Sequence, residues 1–369
     1  MTAPRVVVAG GHSAGHIEPA MNFADALRRL APTAEITALG TVRGLDTTVI
    51  PARGYPLELI PPVPLPRKPN RALLETPGRL RDSVRAAGTV LDRVRAEVVV
   101  GFGGYVAAPA YLAARKRGMP IVVHEANARP GVANRLAARM TTHVFTATPG
   151  VRLGHATVVG IPLRPAITGL DRPALRDVAR QRFGLRPDGP VLMVTGGSQG
   201  AQAINAAVSG AAAAFRATGV QVLHIAGPKN EVAVPYGDPD DPPYVVVPYV
   251  DEMQYAYAAA DFVLCRAGAM TCAELAAVGL PAAYVPLPLR GGEQRLNAEP
   301  VVASGGALLV DNADLDPAWI ETTLIPVLND PGRIAAMSAR AAAAGTPDAG
   351  AVLARHVLAA IAERRGIAS

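Results

Sequence analysis

The sequence predicts an α/β protein with two doubly wound parallel sheets. Two glycine-rich loops, at 10–16 and 196–201, each follow an apolar strand and precede a helical pattern. Apolar strands alternate with helical patterns through both halves of the chain, which is typical of parallel sheets covered by helices. At 369 residues the chain is longer than one ordinary domain. We therefore expect two domains, 1–163 and 164–345, followed by a C-terminal helix, 346–369, that can pack back on the first domain.

The individual elements follow from the spacing of apolar residues. Short apolar segments predict strands at 5–10, 35–39, 97–101, 120–124, 143–146, 156–159, 190–195, 220–225, 244–247, 262–265, 282–285 and 307–310. Helical spacing predicts helices at 17–30, 79–95, 107–117 and 130–139, after the second loop as far as 215, and at 331–343 and 350–364. The prolines at 61–66 predict an extended loop, and 160–165 is expected to be the hinge between the domains.

The paired glycines of the two loops predict an anion site. Gly10-Gly11 and Gly196-Gly197 occupy the same position in each strand–loop–helix unit. Glycines at this position let backbone N–H groups approach an anion, and the following helix directs its positive end toward it. Two such loops predict two similar halves that hold a diphosphate.

Three further segments place polar or glycine residues after predicted strands, at 101–105, 124–127 and 266–274. Ligands of doubly wound sheets bind at the carboxyl ends of the strands. One such segment is weak evidence, because a glycine-rich turn often serves only tight packing. Five segments at equivalent ends of strands favour one extended binding region.

Several other chemistries fit the sequence poorly. Neither loop carries the Lys-Ser/Thr of a P-loop, and Gly10-Gly11 lacks the spacing of a nicotinamide-binding loop. His12 and His16 lie in a loop without a HExxH pattern, and Cys265 and Cys272 form neither a disulfide framework nor a zinc pattern. We expect no metal and no cofactor. With no signal-like start and no apolar run of about 18 residues, we expect a cytoplasmic protein.

Charge is unevenly distributed along the chain. Residues 1–163 carry 20 Lys/Arg against 10 Asp/Glu, whereas residues 164–369 carry 16 against 20. Eight basic residues lie between Arg67 and Arg95, with leucines and valines interleaved from Leu65 onward. Such a surface suits an anionic membrane face. A solvated helical face is the alternative, and nucleic acid is not expected because aromatic stacking residues are scarce.

The motifs resemble those of the MurG family, the bacterial transferases that add N-acetylglucosamine to an undecaprenyl-linked muramyl-pentapeptide. The resemblance is nearly full length, with actinobacterial character. It rests on the segments 14–20, 101–106, 124–131, 196–201, 265–271 and 292–298. It implies the GT-B fold, two Rossmann-like domains facing a central cleft, with no metal at the diphosphate. It also implies UDP-N-acetylglucosamine as donor, the lipid-linked muramyl-pentapeptide as acceptor, attachment to the cytoplasmic face of the cell membrane, and possible contacts with cell-wall synthesis proteins.

The resemblance also implies the binding residues. In the second domain, Arg164 and Ser198 would hold the diphosphate and the Val250 backbone the uracil. Glu274 would bind the ribose hydroxyls and Gln294 the sugar hydroxyls. The residues around ribose and phosphate would be Ala269, Met270 and Thr271. In the first domain, the residues that would close over the sugar and hold the acceptor are Ser13, Ala14, Gly15, His16 and Asn127.

The candidate catalytic residues are His16 and Glu125. The reaction implied is an inverting single displacement, in which a base removes the proton of the muramyl 4-hydroxyl. His16 is the preferred base, because the helix dipole should disfavour its imidazolium form. The alternative for His16 is a hydrogen bond to the loop or to a phosphate. Bracing the loop is the favoured role of Glu125, and buried packing that of His124.

Three departures from the family pattern lie in the first loop and its helix. His12 stands where a third glycine is usual, and Ser13 where threonine is usual; Asn22-Phe23 replaces small aliphatic residues. A bulky residue in place of glycine can reshape the acceptor pocket. Two alternatives follow: a related enzyme acting on another polyprenyl or antibiotic-like acceptor, and a non-catalytic donor-binding protein of a cell-wall complex.

Overall fold

The computed structural model describes residues 2–63, 72–235, 237–288 and 291–367, with 72–75 described for their backbone only. It contains two compact units. Unit 1 comprises residues 1–164 and 347–369, and unit 2 comprises residues 165–346. The chain therefore passes between the units twice, after Arg164 and after Thr346.

Unit 1 is built on a sheet of seven parallel strands in the order β3-β2-β1-β4-β5-β6-β7. The strands are β1 Arg5–Gly10, β2 Glu35–Gly40, β3 Leu57–Leu59, β4 Val98–Gly103, β5 Ile121–Glu125, β6 Val144–Thr146 and β7 Ala156–Val158. The helices are α1 Ala14–Leu30, α2 Asp46–Ala52, α3 Ala72–Arg93, α4 Ala107–Arg115, α5 Val132–Ala137 and, from the end of the chain, α16 Ala349–Arg364.

Unit 2 is built on six parallel strands in the order β10-β9-β8-β11-β12-β13. The strands are β8 Val191–Thr195, β9 Gln221–Ile225, β10 Tyr244–Val247, β11 Phe262–Cys265, β12 Ala282–Tyr284 and β13 Ala307–Leu309. The helices are α6 Pro165–Thr168, α7 Arg172–Arg182, α8 Gln202–Gly210, α9 Ala212–Ala217, α10 Met253–Ala259, α11 Ala269–Ala277, α12 Glu293–Ala303, α13 Pro317–Trp319, a π-helical turn Ile320–Leu324, α14 Ile325–Leu328 and α15 Pro331–Ala343.

These two sheets confirm the predicted doubly wound α/β class, and each predicted strand is present. The sequence pattern missed β3, a three-residue edge strand with only two apolar residues, Leu57 and Leu59. The single helix predicted after the second loop is two helices, α8 and α9, separated at Ala211. Helix α3 begins before the predicted residue 79 and includes Pro77.

The C-terminal helix completes the core of unit 1. Leu353, Val357 and Ile361 of α16 are buried in one cluster with Phe23 and Leu27 of α1. Helix α15, in contrast, packs against α11 within unit 2. The last two helices of the chain therefore contribute to different cores.

Apolar side chains of α3 face the core of unit 1, whereas the sequence pattern predicted them at the surface. Val84 and Leu91 of α3 are buried in the core and Leu80 packs against it, so these residues form the inner face of the helix. Arg79, Arg81 and Arg85 are exposed on its outer face. The expectation of a partly apolar surface between the arginines is wrong for Leu80, Val84 and Leu91. Leu65, Arg67, Lys68 and Arg71 lie outside the described residues, as do the side chains of Leu73 and Leu74.

The strand orders locate a switch point in each sheet. In unit 1 it lies between β1 and β4, and in unit 2 between β8 and β11, because connections run in opposite directions from these pairs. Both glycine loops leave the sheet at these points. In the part of the chain that the structure describes, no helix is long and apolar enough to cross a membrane.

Candidate active site

The first glycine loop, which joins β1 to α1, packs closely against the first turn of α1. A side chain at Gly10 would place its Cβ 2.7 Å from the backbone oxygen of His16, so only glycine lets the first turn of α1 approach the strand. Ser13 precedes the helix in an extended conformation, yet its hydroxyl caps no backbone N–H. The Ser13 Oγ lies 2.9 Å from Nδ1 of His16 instead. This contact within the loop orients the His16 ring.

His16 is held in its neutral form mainly by burial. Burial is the larger cause that lowers its pKa, and the nearby charge of His12 lowers it further. The dipole of α1, the cause expected from the sequence, stays a prediction beside desolvation. The ring lies against Gly103, where a Cβ would come within 2.9 Å of the His16 Cδ2. The last residue of β4, Gly103, thus makes room for the ring at the switch point.

Glu125, at the end of β5, braces the neighbouring loop. Its Oε1 accepts a hydrogen bond from the backbone N–H of Asn127 at 3.0 Å. Its Oε2 accepts from the N–H of Gly131 and from Nδ2 of Asn134, both at 2.9 Å. The carboxylate is 3% exposed. This geometry fixes the loop that carries Asn127 and is the one expected for a bracing role.

His124 lies in the interior beside this loop. Its Nε2 donates to the carbonyl of Gly160 at 2.7 Å, and its ring packs on Phe102. Burial lowers the pKa of His124 to about 4, so the side chain is neutral at physiological pH. It links β5 to the segment that leaves unit 1 and has the buried packing expected of it.

Arg164 is the last residue of unit 1 rather than part of unit 2. Its guanidinium forms an ion pair with Glu18 of α1 at 2.9 Å, and Arg53 binds the same carboxylate oxygen at 3.1 Å. Glu18 therefore positions both arginines next to the start of α1. The sequence pattern did not identify Glu18 as a site residue, although it belongs to the segment 14–20.

The second glycine loop, in unit 2, is more open. Gly196 is again packed tightly, because a Cβ would lie 2.2 Å from the backbone nitrogen of Ala201. Gly197 has a φ of 86° and no atom within 4 Å of its Cβ position, and Ser198 is exposed. No side chain caps the amino terminus of α8. The open loop and uncapped helix have the features of an anion site.

The loop from β11 to α11 contributes the next group of predicted residues. Ala269, Met270 and Thr271 are partly exposed in the first turn of α11, which has no side-chain cap. In contrast, α7 and α15 in the same unit are capped by Asp171 and Asp330. The two helices that begin at the switch point of unit 2 thus keep backbone N–H groups without a side-chain partner.

Glu274 and Gln294 each accept a hydrogen bond that orients the side chain. Oε2 of Glu274 accepts from the hydroxyl of Tyr257 on α10 at 2.7 Å. Oε1 of Gln294 accepts from the backbone N–H of Leu287 at 2.9 Å. The sequence pattern missed Tyr257 as a partner of a predicted site residue, since a tyrosine among the alanines of α10 gives no motif. Val250, predicted at the uracil, lies in the segment just before α10.

Further contacts tie the ends of β11 and β12 to α12. Arg266 donates to the backbone oxygen of Val285 at 3.0 Å, and Asn297 donates to that of Ala267 at 3.3 Å. The segments carrying Ala269 and Gln294 are therefore parts of one hydrogen-bonded network. Ser198 belongs to a different loop, which β8 places next to β11 in the sheet.

Comparison with known proteins identifies both units. Residues 6–146 match the N-terminal domain model of glycosyltransferase family 28, and residues 191–353 match its C-terminal domain model. Among the similar solved structures is Acinetobacter baumannii MurG, with a TM-score of 0.78 and 24% identity, covering 97% of this chain and 100% of that one. UDP-GlcNAc 2-epimerase from Neisseria meningitidis, bound to UDP-GlcNAc, has a TM-score of 0.69 and 16% identity over 96% of this chain and 100% of that one. The fold is therefore that of the GT-B glycosyltransferases.

Curated relatives specify the family more closely. The chain is 57% identical over 359 residues to the UDP-N-acetylglucosamine–N-acetylmuramyl-(pentapeptide) pyrophosphoryl-undecaprenol N-acetylglucosamine transferase of Streptomyces avermitilis, covering 97% of this chain and 99% of that one. It is 59% identical over 349 residues to the transferase of the same name from Mycolicibacterium smegmatis, covering 93% and 91%. The chain belongs to glycosyltransferase family 28 and, within it, to the MurG family of hexosyltransferases.

Proposed function

We propose that the protein transfers N-acetylglucosamine from UDP-N-acetylglucosamine to the 4-hydroxyl of undecaprenyl-pyrophosphoryl N-acetylmuramyl-pentapeptide, a step of peptidoglycan synthesis. The observation that carries this proposal is the identity of 57–59% with transferases of that name over nearly the whole chain. The local geometry supports it, because each predicted site segment lies at the carboxyl end of a strand or at the start of the following helix.

The reaction proposed is a single displacement with inversion at the anomeric carbon. The muramyl hydroxyl attacks as UDP leaves, and a β-1,4 bond forms. Negative charge develops on the leaving diphosphate, so fixed dipoles directed at it lower the barrier. The open loop after β8 and the uncapped start of α11 are suited to this role. Arg164, whose guanidinium is paired with Glu18, is the proposed source of further positive charge for the phosphate.

His16 is the proposed general base, and its hydrogen bond to Ser13 defines the tautomer required. To accept the proton at Nε2, the ring must carry its own proton on Nδ1. The Ser13 Oγ, 2.9 Å from Nδ1, can accept that proton in a hydrogen bond. Burial lowers the pKa of His16, so the neutral base is present at physiological pH. Glu125 takes no proton in this scheme, because its oxygens accept the N–H groups that shape the loop of Asn127.

Donor recognition is proposed for the predicted residues of unit 2. Glu274 accepts hydrogen bonds from the ribose hydroxyls while Tyr257 fixes its orientation. Gln294 can present its amide nitrogen to the sugar, because its oxygen is bound to the backbone of Leu287. Ser198 and the backbone after Gly197 contact the diphosphate, and the Val250 backbone contacts the uracil.

The experiment that tests the function is transfer of labelled N-acetylglucosamine to a short-chain analogue of the lipid-linked muramyl-pentapeptide. We expect product only when both substrates are present. Transfer to another polyprenyl acceptor alone identifies an enzyme of different acceptor specificity. UDP binding without transfer or hydrolysis of the donor identifies a non-catalytic donor-binding protein. Either outcome contradicts the proposal.

We also propose that unit 1 attaches to the anionic cytoplasmic face of the membrane through the outer face of α3. Unit 1 carries 24 Lys/Arg against 12 Asp/Glu and unit 2 carries 12 against 18, so their net charges are +12 and −6. Arg79, Arg81 and Arg85 are exposed on that face. Because Leu80, Val84 and Leu91 point into the core, attraction through this face is mainly electrostatic.

Charge reversal tests the attachment. Reversing Arg79, Arg81 and Arg85 to Glu should reduce binding to anionic vesicles and activity on a membrane-embedded acceptor, with little effect on a soluble acceptor. Binding of the unaltered protein should weaken as salt rises, since the screening length is about 8 Å at physiological ionic strength. Reversal of two exposed arginines of α15, Arg333 and Arg340, is the matched control. Equal losses on both acceptors, or no loss, contradict the attachment.

A further inference from the structure

Residue 12 has a backbone conformation that favours glycine. His12 has a φ of 77°, in the left-handed region, where the Cβ of an L-residue crowds the backbone. Its side chain is exposed and meets Tyr105 edge-on, with ring centroids 5.1 Å apart. A conformation that costs free energy persists only where the surrounding structure enforces it. The contacts that enforce it here come from the segment between β2 and α2.

This segment, residues 41–46, holds both polar groups of the His12 backbone. The N–H of His12 donates to Oδ1 of Asp46 at 2.5 Å. The carbonyl of His12 accepts from the N–H of Leu45 at 3.4 Å. Gly44, with a φ of 87°, lets the chain pass over the loop, because a Cβ there would lie 2.4 Å from the His12 oxygen. We call this segment the clamp.

Asp46 holds the clamp in place through its buried carboxylate. Its side chain is fully buried, and its second oxygen accepts from the N–H of Thr41 at 2.7 Å and from the Thr41 hydroxyl at 3.3 Å. The carboxylate thus ties the end of β2 to the loop after β1. A buried carboxylate is stable only with such donors, and hydrogen bonds to it are stronger than those between neutral groups.

The clamp acts on the residues that follow His12. Ser13 comes next in the chain, and its carbonyl accepts from the N–H groups of His16 and Ile17 at 3.0 and 3.1 Å. Its hydroxyl holds the His16 ring. A rotation at residue 12 therefore moves Ser13 and the proposed base together. None of the clamp residues contacts this ring in the hydrogen bonds described, so their influence passes through His12 and Ser13.

We propose that Asp46 is a positioning residue for acceptor activation: its carboxylate locks residue 12 in the left-handed conformation and thereby fixes Ser13 and His16. The expected kinetic effects rest on the proposed transfer function. The effect of Asp46 on the conformation of residue 12 does not depend on that function. It predicts that the contribution of Asp46 depends on which residue occupies position 12, since glycine adopts the same φ without a steric cost.

The test compares Asp46→Asn in two backgrounds, the natural chain and the His12→Gly variant. In the natural chain we expect kcat for transfer to fall about tenfold, equivalent to ~1.4 kcal/mol. The KM for UDP-N-acetylglucosamine should stay unchanged, because in the hydrogen bonds described neither Asp46 nor His12 contacts a residue proposed to bind the diphosphate, the ribose or the uracil. In the His12→Gly background, Asp46→Asn should lower kcat less than threefold. It should also lower the melting temperature by less than it does in the natural chain.

Glu97→Gln is the matched control. Glu97 is also in unit 1 and also accepts a backbone N–H, that of Arg5 at 3.0 Å, but it lies at the amino ends of the strands. Its substitution should lower stability equally in both backgrounds and leave kcat unchanged. Equal effects of Asp46→Asn in the two backgrounds, on kcat and on melting, overturn the proposal.

The remaining outcomes are also decisive. If Asp46→Asn fails to fold in the natural chain but folds with His12→Gly, the lock is supported. If it fails to fold in both, Asp46 supports the fold independently of residue 12 and the proposal is wrong. A natural chain that transfers no sugar contradicts the proposed function alone, because the melting-temperature comparison still measures the coupling between residues 12 and 46.

Discussion

The two glycine loops begin alike and then diverge. In each, the first glycine is required by close packing against the helix that follows, at Gly10 in unit 1 and Gly196 in unit 2. In unit 1 the loop then meets a buried carboxylate, since Asp46 accepts the N–H of His12. In unit 2 the loop remains open at Gly197 and Ser198. The same sequence pattern thus occurs in a loop whose backbone N–H is bound by a carboxylate of the protein and in a loop that is open to an external anion.

This difference separates two roles that the glycine pairs alone do not distinguish. The first loop already binds the carboxylate of Asp46, so it is less suited to binding a diphosphate. It can instead hold side chains in a fixed position. The first loop orients His16, and the second presents backbone N–H groups. We therefore expect substitutions in the first loop to change the chemical step and substitutions around the second to change donor binding.

The largest expected effect is that of His16→Ala. Loss of a general base lowers kcat by about 10²–10⁴-fold, whereas UDP affinity should be unchanged. Transfer assays and calorimetry with UDP measure the two quantities separately. Ser13→Ala is the companion variant and should lower kcat less. A His16→Ala protein with normal kcat and weakened UDP binding would reverse the roles assigned to the two loops.

Glu274→Ala should have the next largest effect, on donor affinity. The substitution leaves the ribose hydroxyls and the Tyr257 hydroxyl without their acceptor, at a cost of about 1–3 kcal/mol in UDP binding. Calorimetry measures this directly. Glu274→Gln retains one acceptor oxygen and should lose less. Unchanged UDP affinity in Glu274→Ala contradicts the assignment of the ribose site to α11.

Ser198→Ala tests the open loop itself. The Ser198 hydroxyl is proposed as one of several donors to the diphosphate, beside the backbone N–H groups of the loop, so we expect a moderate rise in the KM for the donor and little change in kcat. Donor-dependent initial rates provide the measurement. Thr195→Ser, which keeps the hydroxyl that accepts from the N–H of Gly197 at 3.2 Å, is a conservative control within the same loop.

The smallest expected effect is a shift in the pH profile of the His12→Gly variant. Burial and the charge of His12 both lower the pKa of His16, and the substitution removes the second cause. The pKa of His16 should therefore rise. Because a general base must be neutral, the low-pH limb of the kcat profile should move to higher pH. A shift to lower pH, or none, contradicts the coupling between the two rings.

The fold was predictable from the sequence because strand and helix patterns in both halves are strong and regular. Strand β3 was not predicted, because its two apolar residues, Leu57 and Leu59, are too few to define a period, whereas the equally short edge strands β7 and β13 were predicted. The site segments were predictable as motifs, whereas their internal bonds were not. Asp46 and Tyr257 belong to no motif and act on residues far away in sequence. The roles of Glu18 and Asn134 depend on which side chains the sheet brings beside them, and a linear pattern does not contain that information.

The return of α16 to unit 1 has a consequence for synthesis on the ribosome. When residue 164 emerges, the first sheet can form, but the apolar face that receives Leu353, Val357 and Ile361 has no partner yet. Unit 2 is encoded between the two parts of unit 1 and is complete before α16 is translated. The nascent chain can thus finish its second module before its first, although domains generally fold from the N-terminus onward. A stop codon shortly after residue 346 would release a protein with an intact unit 2 beside a unit 1 whose core is open to aggregation or proteolysis.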